Sequence, residues 1–274
     1  MNLDRIKTVA RTDLRQLLGA RDFWMPMAGL GALFFLVIPA ILLTILTRVE
    51  AGGAVEQFSN ALDVLPAAAQ SQIRGTTGPD RLAYALSVYL FAPVAVVVPL
   101  TISTAVGAAC IVGERERGTG EFLAHSPASV QEIYLGKLLA ALIPGYLTTL
   151  VGFGAYSLLV NLLVGPSVGS WFFPTGPWWV LVLWVLPPFL GLTLSVVLRL
   201  SATVRSTAAA QQASGLVSLP MIAIAYGQST SSLSGLDATP WIVGAAAWVL
   251  AALCLWRGVR SVTRARLLGV ADER

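Results

Sequence analysis

Long uncharged stretches rich in leucine, valine, isoleucine and phenylalanine alternate with short charged segments along the chain. A helix that crosses the roughly 30 Å hydrocarbon core of a bilayer needs about 20 apolar residues. Six stretches reach or approach that length, so the pattern predicts an all-α integral membrane protein with six spans. The predicted spans are Phe23 to Thr47, Leu82 to Gly113, Leu138 to Val164, Pro177 to Leu198, Thr207 to Gly227 and Pro240 to Trp256.

The third and fourth spans lie within one uncharged stretch that runs from Leu138 to Leu198. This stretch is too long for a single crossing, and Gly165-Pro166 and Gly176-Pro177 near its middle predict a break. Three tryptophans flank the break, as expected of an aromatic belt at a headgroup boundary. They are Trp171, Trp178 and Trp179.

Two of the six spans differ from a simple lipid-facing helix. The second is longer than one perpendicular helix requires, so either it tilts or its first turns lie outside the bilayer. The fifth contains Gln211, Gln212 and Ser214, with Pro220 near its middle. A helix this polar is expected to face protein or an aqueous cavity along part of its surface.

Basic residues predict the orientation of the spans. With the N-terminus in the cytoplasm, fifteen of the 18 lysines and arginines fall on the cytoplasmic side, Lys137 and Arg199 among them as charges at span ends. An excess of this kind is typical of cytoplasmic loops, so both termini are predicted to be cytoplasmic. This divides the chain into a cytoplasmic segment 1–22, a membrane domain 23–257 with an extracytoplasmic loop at 48–81, and a basic cytoplasmic tail at 258–274.

Composition supports a lipid-covered protein. Only 12% of residues are charged and 56% are hydrophobic, whereas an ordinary soluble domain is about 25% charged. The net charge of +4 follows from the topology, so no nucleic-acid partner is predicted. Cys110 and Cys254 lie in apolar stretches and are interpreted as packing residues, and no metal site is predicted.

The N-terminal segment has the pattern of an amphipathic helix. An apolar face is formed by Leu3, Ile6, Ala10, Leu14 and Leu17, and a row of basic residues along its border by Lys7, Arg11 and Arg15. This spacing predicts a helix lying in the membrane interface with its basic side chains reaching lipid phosphates. The alternative interpretation is a plain positive-inside flank.

The loop at 113–130 is the most informative hydrophilic segment. Gly113, Gly118 and Thr119 resemble part of a phosphate-binding loop, but the required lysine is missing, so nucleotide binding is rejected. Charges at the end of the second span are followed by apolar residues outside the bilayer, and Ser129 with Glu132 predicts a helix-capping box. From these residues alone, the loop is either a docking element for a soluble partner or a solvated turn.

Within and after this loop, the chain carries Glu114 to Thr119, Glu121, Ser126-Pro127, Ile133 and Gly136-Lys137. These residues resemble the signature loop of ABC-2 type transporter permeases. The amphipathic N-terminal segment and Gln211-Gln212 leading to Leu219-Pro220 fit the same family. The resemblance covers essentially the whole chain in helix number, orientation and loop placement. The outer loop at 48–81 and the segment from Gln228 to Thr239 are shorter than in some members, which leaves the substrate class open.

The resemblance implies a role and a set of partners. A permease of this family pairs with a second permease copy or homologue and is powered by two separate ATPase subunits, which bind ATP and magnesium. The loop between the second and third spans would hold the coupling helix that docks on the ATPase, and the N-terminal helix would contribute to the same interface. The implied coupling residues are Glu114, Glu116, Arg117, Gly118, Thr119, Glu121 and Phe122.

The function expected on this basis is ATP-driven export of a hydrophobic or amphipathic substrate across the cell membrane, with no catalysis or cofactor in this chain. The candidate path-lining residues are Thr101, Ser103, Thr104, Gln211, Gln212 and Ser214. These side chains could equally satisfy one another or backbone carbonyls at helix contacts. The alternatives are an ion- or proton-coupled secondary transporter, which usually carries an ionisable residue within the membrane, and a non-transporting membrane anchor or regulator of an ATPase.

Overall fold

A computed structural model describes residues 2–48, 62, 70–116, 126–201, 207–233 and 238–261, and the regular secondary structure in this part of the chain is helical throughout. The α-helices are α1 (Leu3–Gly19), α2 (Arg21–Ala32), α3 (Ile38–Arg48), α4 (Gly78–Ala85), α5 (Val94–Glu116), α6 (Val130–Leu163), α7 (Gly165–Val168), α8 (Gly176–Val180), α9 (Leu186–Ser201), α10 (Thr207–Leu233) and α11 (Thr239–Ser261). Three π-helical segments lie between these helices: Leu33–Val37 between α2 and α3, Leu86–Leu90 between α4 and α5, and Leu181–Val185 between α8 and α9.

Five helical stretches in the described residues are long and apolar enough to cross a membrane. They are Trp24–Arg48, Gly78–Cys110, Val130–Leu163, Gly176–Leu200 and Thr239–Gly258. They coincide with the predicted first to fourth and sixth spans, which confirms an all-helical, multi-pass membrane protein. The fifth prediction coincides with α10, whose helical state is confirmed and whose membrane crossing stays a prediction.

The helical stretch at the second predicted span begins at Gly78, four residues before the predicted start, and is interrupted within its length. Its tilt and the position of its first turns relative to the bilayer stay predictions. The helix that starts with α4 becomes π-helical at Leu86–Leu90, turns at Phe91 to Pro93, and starts again as α5 at Val94. Pro93 explains the interruption, because its ring removes a backbone N–H and clashes with the carbonyl one turn earlier. Hydropathy does not register this break, since every residue around it is apolar or small.

The π-helical segments offer backbone carbonyls to side chains of other helices. Tyr156 Oη donates to the carbonyl of Ser87 at 2.8 Å, and Trp178 Nε1 donates to that of Val88 at 2.7 Å. In the third segment, Trp248 Nε1 donates to the carbonyl of Trp184 at 3.2 Å. A wider helical turn leaves carbonyls accessible, and here they serve as contact points between spans.

Trp178 does not belong to an aromatic belt. It is 2% exposed, whereas Trp171 and Trp179 are 69% and 48% exposed, so the prediction was wrong for the middle residue of the three. Its indole stacks on Phe153 and lies edge-on to Phe173, with ring centroids 5.8 and 4.9 Å apart. The indole N–H finds a partner inside the protein, so this tryptophan does not need the wet side of the interface.

Asn161 holds the connection between the third and fourth spans. Its side-chain amide donates to the carbonyl of Phe173 at 2.6 Å, and its amide oxygen accepts the backbone N–H groups of Phe172 and Phe173 at 3.0 and 3.1 Å. Non-helical backbone at the edge of a membrane domain needs such partners, because lipid offers none. One buried side chain therefore satisfies three backbone groups of this loop.

Close helix packing occurs at only some of the glycines within the spans. A Cβ atom on Gly152 would lie 2.4 Å from the ring of Phe35, and one on Gly31 would lie 2.7 Å from Thr148 Cγ2. The same atom on Gly29 or Gly154 would meet nothing within 4 Å among the described residues. Sequence treats these glycines alike, and only the tertiary structure distinguishes them.

Candidate functional site

The amphipathic N-terminal helix packs against the start of α6. Four of the five residues of its predicted apolar face are buried or half-buried, whereas Leu3 is 65% exposed. Ile6 and Ala10 are buried, and Leu14 and Leu17 pack against a buried apolar cluster that includes Ile133 and Leu138. The contact is close, because a Cβ atom on Gly136 would lie 2.7 Å from Val9 Cβ. This face therefore contacts protein rather than lipid, and the exposed row of Lys7, Arg11 and Arg15 lies on the remaining surface of α1.

The length of α6 explains where α1 can bind. Its 34 residues span about 51 Å at 1.5 Å per residue, against a hydrocarbon core of about 30 Å. The helix α6 is therefore longer than one perpendicular crossing requires, and α1 contacts its first two turns, at Glu132, Gly136 and Lys137. The N-terminal helix and the end of the 113–130 loop consequently lie at the same end of the membrane domain.

The last residues of the 113–130 loop are bonded directly to α1. The predicted capping box is confirmed, with Ser129 and Glu132 exchanging backbone-to-side-chain hydrogen bonds of 2.9 and 3.3 Å. The Glu132 carboxylate also accepts the backbone N–H of Asn2 at 2.6 Å. Arg5 Nη1 donates to the carbonyl of Pro127 at 2.8 Å and lies 3.8 Å from Glu132.

Lys137, which the sequence assigned to the cytoplasmic side, is a buried and paired cation. Its side chain is 2% exposed, and its Nζ lies 3.3 Å from Asp13 Oδ2 on α1 and 2.7 Å from the carbonyl of Cys110 on α5. Asp13 was not singled out from the sequence. The available signal was its position on the apolar face of α1, three residues after Ala10, where a carboxylate requires a partner.

Arg199 is a second cation whose side chain contacts another helix. Its guanidinium is half-buried and donates through Nη2 to the carbonyl of Cys254 on α11. The contact region also includes Tyr134 near the start of α6, because a Cβ atom on Gly258 would lie 2.6 Å from Tyr134 Oη. The start of α6 and the ends of α9 and α11 therefore meet at one end of the helix bundle.

The predicted coupling residues are only partly described. Glu114 and Glu116 lie in the last turn of α5, which extends three residues beyond the predicted span end at Gly113. The side chains of these two glutamates lie outside the description. Arg117, Gly118, Thr119, Glu121 and Phe122 also lie outside the described residues, so their assignment stays a prediction.

The candidate path-lining residues separate into two groups. Ser103 and Thr104 are buried, and Thr104 Oγ1 donates to the carbonyl of Leu100 in its own helix at 2.7 Å. The bond of Thr104 favours the helix-contact interpretation for that residue, whereas the buried Ser103 hydroxyl has no hydrogen-bond partner among the described residues. Thr101, Gln211 and Gln212 are exposed on the surface of the chain, while the side chain of Ser214 lies outside the description.

Comparison with known proteins identifies one family. The sequence model of the ABC-2 family transporter proteins matches residues 7–252. The match begins within α1 and includes the 113–130 loop, α10 and most of α11. No curated protein matches the chain.

Proposed function

Because the chain belongs to the ABC-2 family of transporter proteins, we propose that it is the permease subunit of an ATP-driven exporter coupled to separate ATPase subunits through the 113–130 loop. The observation that carries the proposal is the bonding of α1 to the end of that loop through Pro127 and Glu132. Two cytoplasmic segments joined in this way present one continuous docking surface. The ATPase subunits would bind ATP and magnesium, and this chain would supply the path.

Six spans with both termini in the cytoplasm agree best with the contacts at the inner end of the bundle. The end of α9 and the end of α11 meet through Arg199 and the carbonyl of Cys254, so both helices finish on the same side. This arrangement supports one further crossing between Ser201 and Thr239. The helix that can do so is α10, whose 27 residues span about 40 Å.

The translocation path would lie between this chain and a second permease copy or homologue. The α10 helix packs against α5 and α9, while Gln211 and Gln212 remain exposed in the single chain. Exposed amides are costly next to lipid and favourable next to another protein or water. With few charges along the spans, the path suits a hydrophobic or amphipathic substrate in the cell membrane.

Replacement of Glu116 by glutamine together with Thr119 by alanine tests the docking surface. We expect ATP-dependent uptake of an amphipathic cationic dye to fall by about tenfold or more in vesicles that contain the purified complex with its ABC ATPase. The reason is that contacts between the loop and the ATPase, which differ between the ATPase states, drive the conformational change of the permease. Stimulation of ATP hydrolysis by the permease should fall in parallel. Arg74→Ala, a charge change on the predicted outer side, serves as the control and should leave both rates unchanged.

Two outcomes of this experiment would contradict the proposal. Unaltered hydrolysis and dye uptake in the double variant would show that the 113–130 loop does not dock the ATPase. Strong ATP hydrolysis by the purified permease alone would show that the division of labour is wrong. A permease that stimulates the ATPase yet moves no dye or lipid in any direction would instead support the anchor or regulator alternative.

A further inference from the structure

Lys137 joins the three helical elements that surround the 113–130 loop. It lies on α6, its ammonium pairs with Asp13 on α1, and it donates to the carbonyl of Cys110 on α5. Cys110 precedes the loop by three residues and Lys137 follows it by seven. The hydrogen bond between them therefore closes the base of the loop.

The chemistry of this contact differs from apolar packing. A lysine ammonium has three donors that can point to acceptors on different elements. Taking such a charge out of water is expensive, and the cost is offset only when an opposite charge and hydrogen bonds are held in place. If α1 moved away, Lys137 would lose the Asp13 carboxylate, and if the end of α5 moved away, it would lose the Cys110 carbonyl.

We propose that Lys137 is a positioning residue that makes α1, the end of α5 and the start of α6 move as one body. A displacement of the loop or of α1 then moves the second and third spans together, with no hinge motion between them. The direction of this displacement rests on the proposed function, because it requires an ATPase at this end. The joining of the three elements does not depend on that assumption.

Cysteine labelling measures the joining directly. In a Cys110→Ser and Cys254→Ser background, which keeps both backbone carbonyls, Ala10→Cys reports the buried face of α1 and Thr12→Cys its exposed face. In vesicles treated with a membrane-impermeant maleimide from the side of α1, we expect Lys137→Met to raise labelling at position 10 by about tenfold or more. Labelling at position 12 should not change, and Lys7→Met, which removes an exposed cation from α1, should leave both sites unaltered.

A second set of variants distinguishes loss of the charge pair from loss of the fold. Asp13→Asn keeps the side-chain shape and should also raise labelling at position 10. Combining it with Lys137→Met removes both charges and should return labelling towards the starting value, because no unpaired charge is then buried. Unchanged labelling in both single variants would overturn the proposal, as would increased labelling at every buried site tested, such as Val160→Cys in the membrane domain.

The effect on coupling is measured in the reconstituted complex with the ABC ATPase. We expect Lys137→Met to keep ATP hydrolysis within about twofold while the dye transported per ATP hydrolysed falls by about tenfold. An unchanged ratio would overturn the force-transmitting role even if labelling had increased. If the ATPase does not bind the unaltered chain, the proposed function fails, and the labelling result still decides whether Lys137 joins the three elements.

Discussion

Replacement of Gly145 by alanine is expected to destabilise the protein, whereas the same change at Gly154, nine residues later in α6, is expected to be neutral or stabilising. A Cβ atom on Gly145 would lie 2.1 Å from Ser103 Oγ and 2.6 Å from the carbonyl oxygen of Pro99. The Ser103 hydroxyl could rotate away, but the Pro99 carbonyl belongs to the backbone of α5. The two helices would have to separate.

The expected cost is about 1–3 kcal/mol, as for other overpacked cores. Separation of α5 and α6 would also loosen contacts along the rest of their length, because these helices pack closely together. At Gly154 a Cβ atom meets nothing within 4 Å among the described residues. Alanine there should gain up to about 1 kcal/mol through its higher helix propensity.

Thermal unfolding of the purified protein in detergent, followed by the fluorescence of its tryptophans, checks this pair. Gly145→Ala should lower the midpoint and Gly154→Ala should leave it unchanged or raise it. Equal midpoints for the two variants would show that α5 and α6 do not approach as closely as the structure indicates. A fall at Gly154 alone would indicate that this face is covered by another chain in the assembled protein.

Replacement of Asn161 by leucine is expected to have the largest effect at the opposite end of the third span. Leucine has the same branched arrangement of side-chain heavy atoms but leaves the carbonyl of Phe173 and the N–H groups of Phe172 and Phe173 without the amide. Each buried backbone group without a partner costs about 1–3 kcal/mol. The variant should therefore lose about 3 kcal/mol or more.

Ser157→Ala is the matched control for this change. Ser157 lies one turn earlier on α6, and its hydroxyl donates to the carbonyl of Phe153 in the same helix at 2.7 Å. The Phe153 carbonyl also accepts a hydrogen bond from the helix backbone. Loss of the Ser157 hydroxyl should therefore destabilise the protein much less than replacement of Asn161. If the two variants unfold at the same temperature, Asn161 does not hold the connection to the fourth span.

The candidate site could be predicted in part from sequence because some of its signals are local. The capping box at Ser129 and Glu132 needs only the identities of two residues three positions apart. The apolar face of α1 likewise follows from helical periodicity. The partner of that face cannot be predicted from periodicity, because Ile6 and Ala10 could pack against either lipid or a neighbouring helix.

The burial of charged side chains could not be predicted from the sequence. Lys137 stands at the end of an uncharged stretch, where a basic residue usually remains in the cytoplasm, and Asp13 lies 124 positions away. Nothing local signals that these two residues meet. The same holds for Trp178, whose neighbours Trp171 and Trp179 are exposed while it is enclosed by Phe153 and Phe173.

The sequence by itself determined the approximate positions of the apolar helices and the family resemblance. Uncharged stretches of about 20 or more residues favour helices in lipid, because a helix satisfies its backbone hydrogen bonds within the segment. Only the tertiary structure decided which glycines bring helices together, which carbonyls become acceptors in π-helical turns, and which charges are paired inside. These features depend on residues far apart in the chain approaching within a few ångströms. Contacts between residues that are distant in the chain are set by the packing of the helices and cannot be predicted from hydropathy.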